Sequence, residues 1–509
     1  MSKAPIQGAS LALLTLSLSL ATFMQVLDTS IANVSIPTIA GDLAVSPNQG
    51  TWVITSFAVS NAIALPLSGW LAKRFGEVRL FVAATLLFTL ASTLCGLSSS
   101  LPMLVICRIL QGAVAGPMIP LSQSLLLANY PDEKKGLALA LWSMTVVLAP
   151  IFGPILGGYI TDNFSWPWIF YINIPVGLIS SYMTWQLLKN RETETAKLPI
   201  DTVGLALLVI GIGSLQLLLD KGNELDWFGS SFIVTLGVLA TVCLSFFIIW
   251  ELTERHPVVD LSLFSVRNFS VGTLSISLGY MTFFSGVVVY PLWLQTQMGY
   301  TATWAGLSAA PIGILSVIFS PLVGKNMHRI DLRILASIGF LVFAAVSFWA
   351  ASFNTNATFW QLTLPRFFQG IGMACFFIPL MSILLSGLPP NRVASASGLS
   401  NFLRVLGGSF GTSLSVALWD RRESLHHSQL TEHISISDPV TSHTLESLNM
   451  LGFSHLPALQ FLERSVDNQS YMLAVNDVFL VSSWIFLGLM LFVWFARPPF
   501  ASGKAHGGE

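Results

Sequence analysis

Charged residues are scarce in this sequence. Only 10% of its 509 residues are Asp, Glu, Lys or Arg, whereas 53% are hydrophobic and the mean hydropathy is +0.71. Soluble domains carry roughly 25% charged residues, so a soluble enzyme or binding domain is excluded as the main body of the chain. The net charge is −1 and no basic tail is present, which gives no support for nucleic-acid binding. The composition indicates a polytopic membrane protein.

Cysteine and histidine are also rare. The four cysteines lie in apolar segments at unrelated spacings and the eight histidines lie in predicted loops, so we expect no disulfide framework, metal site or cofactor. The sequence has no phosphate-binding G-x-x-x-x-G-K-[ST] loop and no His-Glu-x-x-His pair. An ATP-driven pump and a metalloprotease are therefore disfavoured. We expect no enzymatic activity and an ion gradient as the source of energy.

Long hydrophobic runs, in contrast, are abundant. A helix of about 20 apolar residues crosses the roughly 30 Å hydrocarbon core of a bilayer. Fourteen spans are predicted, near residues 10–36, 50–71, 79–98, 102–128, 136–161, 168–188, 203–219, 231–250, 270–294, 302–324, 332–352, 358–386, 393–418 and 476–496. An even number puts both termini on one side, and 17 of the 24 Lys and Arg then lie on that side. Because basic loops stay in the cytoplasm, we expect cytoplasmic termini.

The first span contains a carboxylate. Asp28 lies in the run LDTSIANVSIP, inside an apolar segment that begins near Ser10. A carboxylate at the centre of a membrane helix costs about 2.5–3.5 kcal/mol, so it needs a partner, a proton or a water-filled cavity. We therefore predict that Asp28 binds a coupling proton. The alternative is an acid near the outer interface, bonded to Thr29 or Asn33.

An internal repeat divides the chain. The run RILQG from Arg108 is matched by RFFQG from Arg366, and PLSG from Pro66 by PLVG from Pro321, at offsets of 258 and 255 residues. Secondary transporters build an alternating-access site from such repeated halves. We predict an all-α membrane fold with a six-helix half over residues 1–190, two inserted helices with their connectors over 191–268, and a second six-helix half over 269–509. The inserted helices are expected at the periphery.

Three arginines lie within predicted spans. We expect Arg108 to act with Asp28 in proton coupling, because a guanidinium keeps its charge and lowers the proton affinity of a nearby acid. Arg366 is its counterpart in the second half, and Arg404 is the third; both are candidates for conformational roles. The alternative for Arg108 and Arg366 is snorkelling to an interface.

The fifth predicted helix carries APIFGPILGGY, from Ala149 to Tyr159. Gly153 and Gly157 form a small-xxx-small face on which another helix can approach closely, and Pro154 removes a backbone hydrogen bond. Together with Gly158, these residues are predicted to take part in conformational change.

One outer segment, residues 420–474, is much longer than the others. Its seven acidic residues and three arginines give it a net charge of −4. Leu445, Leu448 and Leu451 recur at helical spacing and predict an amphipathic helix. Two interpretations stay open: a solvated hairpin, or a surface on which another protein docks.

Several runs together resemble one family. LDTSIANVSIP, GWLAKRFGEVRLF, Arg108 with Gln111-Gly112, and GPILGG are similar to signatures of the fourteen-helix drug:proton antiporters of the major facilitator superfamily, and most closely of their EmrB-type permeases. GTWVITSF, AGPMIPLSQSLLL, LDKGNELDWF and WFARPPF extend the resemblance over nearly the whole chain. It implies multidrug or fatty-acid efflux across a bacterial inner membrane. It also implies a tripartite assembly with a periplasmic membrane-fusion adaptor and, through the adaptor, an outer-membrane channel of the TolC type.

One position departs from that family. The loop after the second helix usually carries an Asp before its Arg, whereas here Lys73 precedes Arg74. The charge relay that the family uses for gating on the cytoplasmic side then needs another acid, for which Glu77 is the candidate.

These observations predict a proton-driven exporter of hydrophobic or amphipathic compounds. One proton crossing about 100 mV supplies roughly 2.3 kcal/mol, which supports an approximately 40-fold gradient of a neutral substrate. Asn33, Gln123, Phe376 and Phe377 are predicted to line the substrate cavity. The alternatives are a metabolite uniporter or symporter of the same fold and, from a different class, a membrane sensor.

Overall fold

The structure, a computed structural model, describes residues 6, 8–45, 47–131, 134–196, 199, 201–254, 257–327, 329–389, 392–432, 434–435 and 438–500. Within these ranges the chain forms α-helices joined by short turns and contains no strand. In hydrocarbon every backbone amide has to be bonded inside the protein, and a helix achieves this within one segment.

Ten helices build the first half. They are α1 (Ala9–Asp42), α2 (Pro47–Gly50), α3 (Trp52–Ala64), α4 (Ser68–Phe75), α5 (Glu77–Gly96), α6 (Leu101–Ala115), α7 (Met118–Asn129), α8 (Lys135–Asn163), α9 (Trp168–Tyr171) and α10 (Asn173–Leu188). α3 and α4 meet at an angle of 61° across Pro66. The proline ring removes a backbone hydrogen bond there, which accounts for the bend.

Two inserted helices and the second half follow. They are α11 (Thr202–Lys221), α12 (Ser231–Thr253), α13 (Arg267–Thr296), α14 (Ala302–Ala309), α15 (Ile312–Asn326), α16 (Leu332–Ala350), α17 (Phe359–Leu385), α18 (Val393–Thr431), α19 (Pro439–Met450) and α20 (His455–Phe492). α13 packs on α18 as α1 packs on α8. This shared pairing agrees with the repeat seen in the sequence.

Ten helices of the described chain are long and apolar enough to cross a membrane, or eleven if the bent pair α3–α4 is one span. Helices α8, α10 and α18 occupy the other three predicted positions. α10 has only 16 residues, which is short for a bilayer of about 30 Å. A count of fourteen spans therefore stays a prediction, whereas a multi-pass helical membrane protein is established.

The two halves meet at close backbone contacts. A Cβ on Gly136 of α8 would lie 2.8 Å from the carbonyl oxygen of Gly324 on α15, and a Cβ on Gly69 would clash with Ser395 at the start of α18.

The two inserted helices, α11 and α12, differ in their surroundings. α12 is largely exposed, whereas α11 contacts both α3 and α18. α11 thus lies across one side of the boundary between the halves and not only at the periphery.

A helical hairpin extends from the second half. α18 has 39 residues and α20 has 38. At 1.5 Å per residue each is about 57 Å long, nearly twice the roughly 30 Å hydrocarbon core. Their distal ends therefore project beyond the membrane, and α19, which lies between them in the chain, packs on α20.

Candidate functional site

Asp28 lies at the centre of a closed polar cluster in the first half. Its side chain is 1% exposed, although it sits midway along the otherwise apolar α1. Oδ1 accepts hydrogen bonds from Asn173 Nδ2 at 2.8 Å and from Gln111 Nε2 at 3.1 Å. Oδ2 accepts from Arg108 Nη1 at 2.6 Å. Both oxygens are thus occupied by donors from α6 and α10, and within the described chain they bond to neither Thr29 nor Asn33.

Arg108 is held by more than its acid. Besides Asp28, Nη1 donates to Gln111 Oε1 at 2.7 Å, and Nε donates to the Val53 carbonyl oxygen at 2.9 Å. The guanidinium carbon lies 4.3 Å from the ring centroid of Phe57, a cation–π distance. Arg108 is fully buried and does not snorkel to an interface.

This geometry suits a proton switch. A buried ion pair is sensitive to the loss of either charge, because desolvation of the remaining charge is then uncompensated. When Asp28 takes a proton, Arg108 keeps Gln111, the Val53 carbonyl and the Phe57 ring as partners. Protonation can therefore weaken the bond between α1 and α6 without leaving the guanidinium unsupported.

The glycines of α8 pack next to this cluster. A Cβ on Gly153 would overlap Ser30, and one on Gly157 would lie 3.0 Å from Ile31. Both contacts are on α1, within one turn of Asp28, so a movement of α8 is transmitted to the acid-bearing segment. Gly158 has open space where a Cβ would stand. The side chain of Pro154 lies outside the described residues.

The second half has the arginine without the acid. Arg366 Nη1 donates to Gln369 Oε1 at 2.9 Å, and its guanidinium carbon lies 4.1 Å from the Tyr290 ring centroid and 5.3 Å from that of Phe479. Within the described chain, Arg366 forms no ion pair. The residue 258 positions after Asp28 is Gly286, and a Cβ there would lie 3.8 Å from Arg366 Nη1.

A third cluster lies between the halves. Gln123 Oε1 on α7 accepts a short hydrogen bond from Ser397 Oγ and one of 3.1 Å from Asn401 Nδ2, both on α18. Asn401 Oδ1 in turn accepts from Arg404 Nη2 at 2.9 Å. Near this cluster Trp142 of α8 stacks on Phe377 of α17, with ring centroids 6.0 Å apart.

The four predicted cavity residues separate in space. Gln123 and Phe377 lie at the boundary between the halves, as described above. Phe376 packs inside the second half, 5.5 Å from the ring of Phe340 and 5.6 Å from that of Phe343, while Asn33 is exposed on the C-terminal part of α1. Among the described residues, Gln123 and Phe377 have the cross-boundary contacts given above.

Glu77 begins α5 and is buried. Its carboxylate accepts the Ser124 hydroxyl of α7 at 2.9 Å. Arg74 stacks near Trp70, with 5.5 Å between its guanidinium carbon and the ring centroid. A different acid, Glu192, reaches this loop and accepts from the backbone amides of Val78 and Arg79 at 3.0 and 2.9 Å. A carboxylate at the start of α5 complements the helix dipole and satisfies free amides.

Sequence reasoning missed several members of these clusters. Asn173, which bonds both Asp28 and Ser92, follows an aromatic run and carries no repeated motif. Tyr290 and Glu192 were likewise not singled out. In the sequence, Asn173 is a polar residue at the start of a short apolar segment, and such residues are too common to be recognised as part of a site. As for metal sites, the described residues contain no group of three or more His, Cys, Asp or Glu able to hold an ion.

Comparisons with known proteins agree with this architecture. The sequence profile of the Major Facilitator Superfamily matches residues 18–412. The fold is similar to the human organic anion transporter MFSD10 (TETRAN), with a TM-score of 0.60 and 13% identity over 96% of this chain and 100% of that chain. It is also similar to the proton:xylose symporter XylE, with a TM-score of 0.60 and 15% identity over 96% of this chain and 95% of that one.

Curated relatives are much closer in sequence. The multidrug export protein EmrB of Haemophilus influenzae is 55% identical over 98% of each chain, and that of Escherichia coli K12 is 55% identical over 99% of each. The fatty acid resistance protein FarB of Neisseria gonorrhoeae is 52% identical over 98% of each chain. This chain therefore belongs to the Major Facilitator Superfamily and, within it, to the EmrB-type permeases.

Proposed function

We propose that this protein is a proton-driven exporter of drugs or fatty acids in a bacterial inner membrane, with both termini in the cytoplasm. The names of its relatives support export of such compounds. The observation that carries the proton coupling is the buried Asp28–Arg108 pair, whose nitrogen and oxygen lie 2.6 Å apart. It is the single deep carboxylate of the first span, and its arginine keeps other partners when the acid is neutral.

The cycle follows from this pair. In the outward-facing state Asp28 takes up a proton, which weakens its bond to Arg108 and allows α1 to shift against α6. In the inward-facing state Arg108 returns to Asp28 and favours release of the proton. Gly153 and Gly157 allow α8 to follow α1 through this movement because nothing larger than hydrogen separates the two helices there. A substrate carried outward in one of these steps is thereby coupled to the proton gradient.

Asp28→Asn tests the coupling. The amide has nearly the size of the carboxylate but does not titrate at physiological pH, so we expect substrate-stimulated proton flux in proteoliposomes to be abolished. Exchange of substrate across the same membrane should persist. The matched control is Asp42→Asn, an exposed acid near the end of the same helix, which should behave as the native protein.

Two results would contradict this assignment. Native proton flux in Asp28→Asn would show that another group carries the proton. Substrate movement without proton flux in the native protein would indicate a uniporter instead.

The hairpin of α18, α19 and α20 is the proposed contact with the adaptor of a tripartite pump. Of the three leucines suggested by the sequence, Leu451 is 76% exposed, Leu445 is half-buried and Leu448 is 7% exposed. Leu448 therefore stabilises the hairpin itself. The exposed apolar residues at its end form what we call the tip patch: Val440, Met450, Leu451 and Leu456. Exposed apolar residues at the end of a projecting hairpin are suited to binding another protein.

Replacing all four tip-patch residues with Ser should weaken co-purification with the adaptor and lower drug resistance in cells, because the buried apolar area of the contact is lost. Proton-coupled transport by the isolated protein should be unchanged. The control is Phe228→Ser, which removes one exposed apolar side chain from the α11–α12 turn. Unchanged adaptor binding would leave the hairpin without this role, and loss of transport in isolation would assign it to the transport cycle.

A further inference from the structure

One face of α18 carries the polar groups that meet the first half. Ser397, Asn401 and Arg404 follow one another at spacings of four and three residues, so they share a side of the helix. Ser397 and Asn401 bond to Gln123 across the boundary. Arg404 stands one turn further along the same face and is 3% exposed. The guanidinium is therefore enclosed where the halves come together.

This guanidinium has no counter-charge. Within the described chain no carboxylate forms an ion pair with Arg404, and its Nε is buried without an acceptor. Gln123 Nε2, another donor of the same cluster, is also buried without an acceptor. The position 258 residues earlier in the repeat is the buried Val146, so the charge is not an obligatory part of the shared fold. Arg366 also lacks an ion pair, but Arg404 differs from it in lying at the boundary between the halves, beside a second buried donor that has no acceptor. Burying a charge without a counter-charge is costly, so this place is suited to an anion.

The surroundings of Arg404 are aromatic. Its guanidinium carbon lies 4.7 Å from the Tyr280 ring centroid and 5.4 Å from that of Phe377. Tyr280 packs against Phe284 at 4.5 Å, and Phe377 stacks on Trp142 of the other half. Ligand sites for amphipathic molecules combine such apolar walls with a few directed polar groups.

We propose that Arg404 binds the negatively charged group of an organic monoanion, such as an aromatic or alkyl carboxylate, while the aromatic rings around it hold the apolar body. This proposal rests on the proposed export function and specifies its substrate class. A neutral ligand would leave the guanidinium without a counter-charge, and a cation would be repelled by it. A carboxylate supplies the acceptors that Arg404 Nε and Gln123 Nε2 lack.

The position of Arg404 gives both halves access to such a ligand. Asn401 links Arg404 to Gln123, so an anion that takes the Arg404 hydrogen bond competes with the contact that holds α18 to α7. Binding would then loosen the boundary between the halves at the point where they have to separate. Export of a monoanion from a cell that is negative inside also gains about 40-fold per 100 mV from the movement of its own charge.

Equilibrium binding of a matched ligand pair tests the proposal. The probes are 1-naphthylacetate and 1-naphthylacetamide, which share their size and apolar body but differ in charge. Native protein in lipid nanodiscs should bind the carboxylate at least tenfold more tightly than the amide. Arg404→Gln should weaken carboxylate binding by about ten- to a hundredfold, as expected for a hydrogen bond to a charged group, and leave amide binding nearly unchanged. Arg404→Lys should retain part of the preference.

The amide serves as the internal control for folding, because a misfolded Arg404→Gln protein would bind neither ligand while Arg404→Lys still reports the charge effect. Arg333→Gln, a change outside this cluster, should keep the native preference. The proposal is wrong if native protein binds the carboxylate no better than the amide, including binding neither, or if Arg404→Gln still binds the amide and keeps the native preference for the carboxylate. If Arg404→Gln binds neither ligand, the proposal is wrong when Arg404→Lys keeps the full native preference. Since no proton gradient is used, these results are independent of the proton-flux test of Asp28.

Discussion

The two halves have an arginine at the same position of the repeat, but the partners that stabilise it differ. In the first half Arg108 faces a carboxylate at 2.6 Å, whereas in the second half Arg366 faces the Tyr290 ring at 4.1 Å. Where α1 has Asp28, α13 has Gly286. The first half thus contains a buried ion pair, and the second contains a buried arginine stabilised by an aromatic ring.

This difference suits the two arginines to different roles. A cation–π contact does not change with pH in the physiological range, so the cluster around Arg366 gives α13, α17 and α20 a constant connection. In the proposed cycle, by contrast, the ion pair of the first half is broken when Asp28 takes up a proton. Helix packing is nevertheless alike in both halves, since Gly153 on α8 and Gly411 on α18, also 258 residues apart, each allow close approach of the facing helix.

The largest change in the stability of the protein is expected when each of these two arginines is replaced in turn. Arg108→Met leaves the Asp28 carboxylate buried without its partner, which should destabilise the protein by about 3–5 kcal/mol. Arg366→Met leaves no charge behind and should cost about 2 kcal/mol or less, the value of a desolvated cation–π contact. Thermal unfolding of the purified proteins in detergent measures both.

The double variant Asp28→Asn with Arg108→Met provides the control for that comparison, because it removes both charges. It should recover most of the stability lost in Arg108→Met. Equal losses in the two single arginine variants would mean that the halves do not differ in the way described.

A stability change of intermediate size is expected at the close helix contacts that both halves share. Gly153→Ala and Gly411→Ala each place a methyl group against the facing helix, at Ser30 and at Met281. Each should destabilise the protein by about 1–3 kcal/mol, the usual cost of overpacking, with the larger cost at Gly411 because the nearest atom there is a backbone carbonyl oxygen and not a side chain. Gly158→Ala, which meets open space, is the control and should be neutral or slightly stabilising because Ala favours helix. Thermal unfolding measures the loss of stability. A loss at only one of the two sites would contradict the similar helix packing of the two halves.

The smallest effect is expected from giving the second half an acid. A Cβ at Gly286 meets only ordinary contacts, 3.4 Å from Phe479 and 3.8 Å from Arg366. Gly286→Asp should therefore form a pair with Arg366 and change stability by only about 1 kcal/mol, because Coulomb attraction and desolvation nearly cancel. A double-mutant cycle with Arg366→Met measures the coupling, and Gly286→Asn is the uncharged control. Zero coupling would show that the two positions do not correspond.

The sequence by itself determined the membrane location, the repeat and the choice of Asp28 and Arg108 as candidate site residues. These follow from local chemistry, because a charge within twenty apolar residues is costly wherever the helix packs, and a repeated motif is visible without coordinates. Arg404 was equally visible as a charge, but its spacing gave no sign of what it contacts.

Only the tertiary structure decided the partners. Asn173 lies 145 residues from Asp28 along the chain, and Asn401 lies 278 residues from Gln123, so no local pattern links either pair. Which residues of α13 lie near Arg366 in the described chain depends on how α13 packs on α17. The burial of Leu448 depends in the same way on how α19 packs on α20. Such contacts are set by helix packing, which brings together side chains from distant segments that sequence periodicity treats separately.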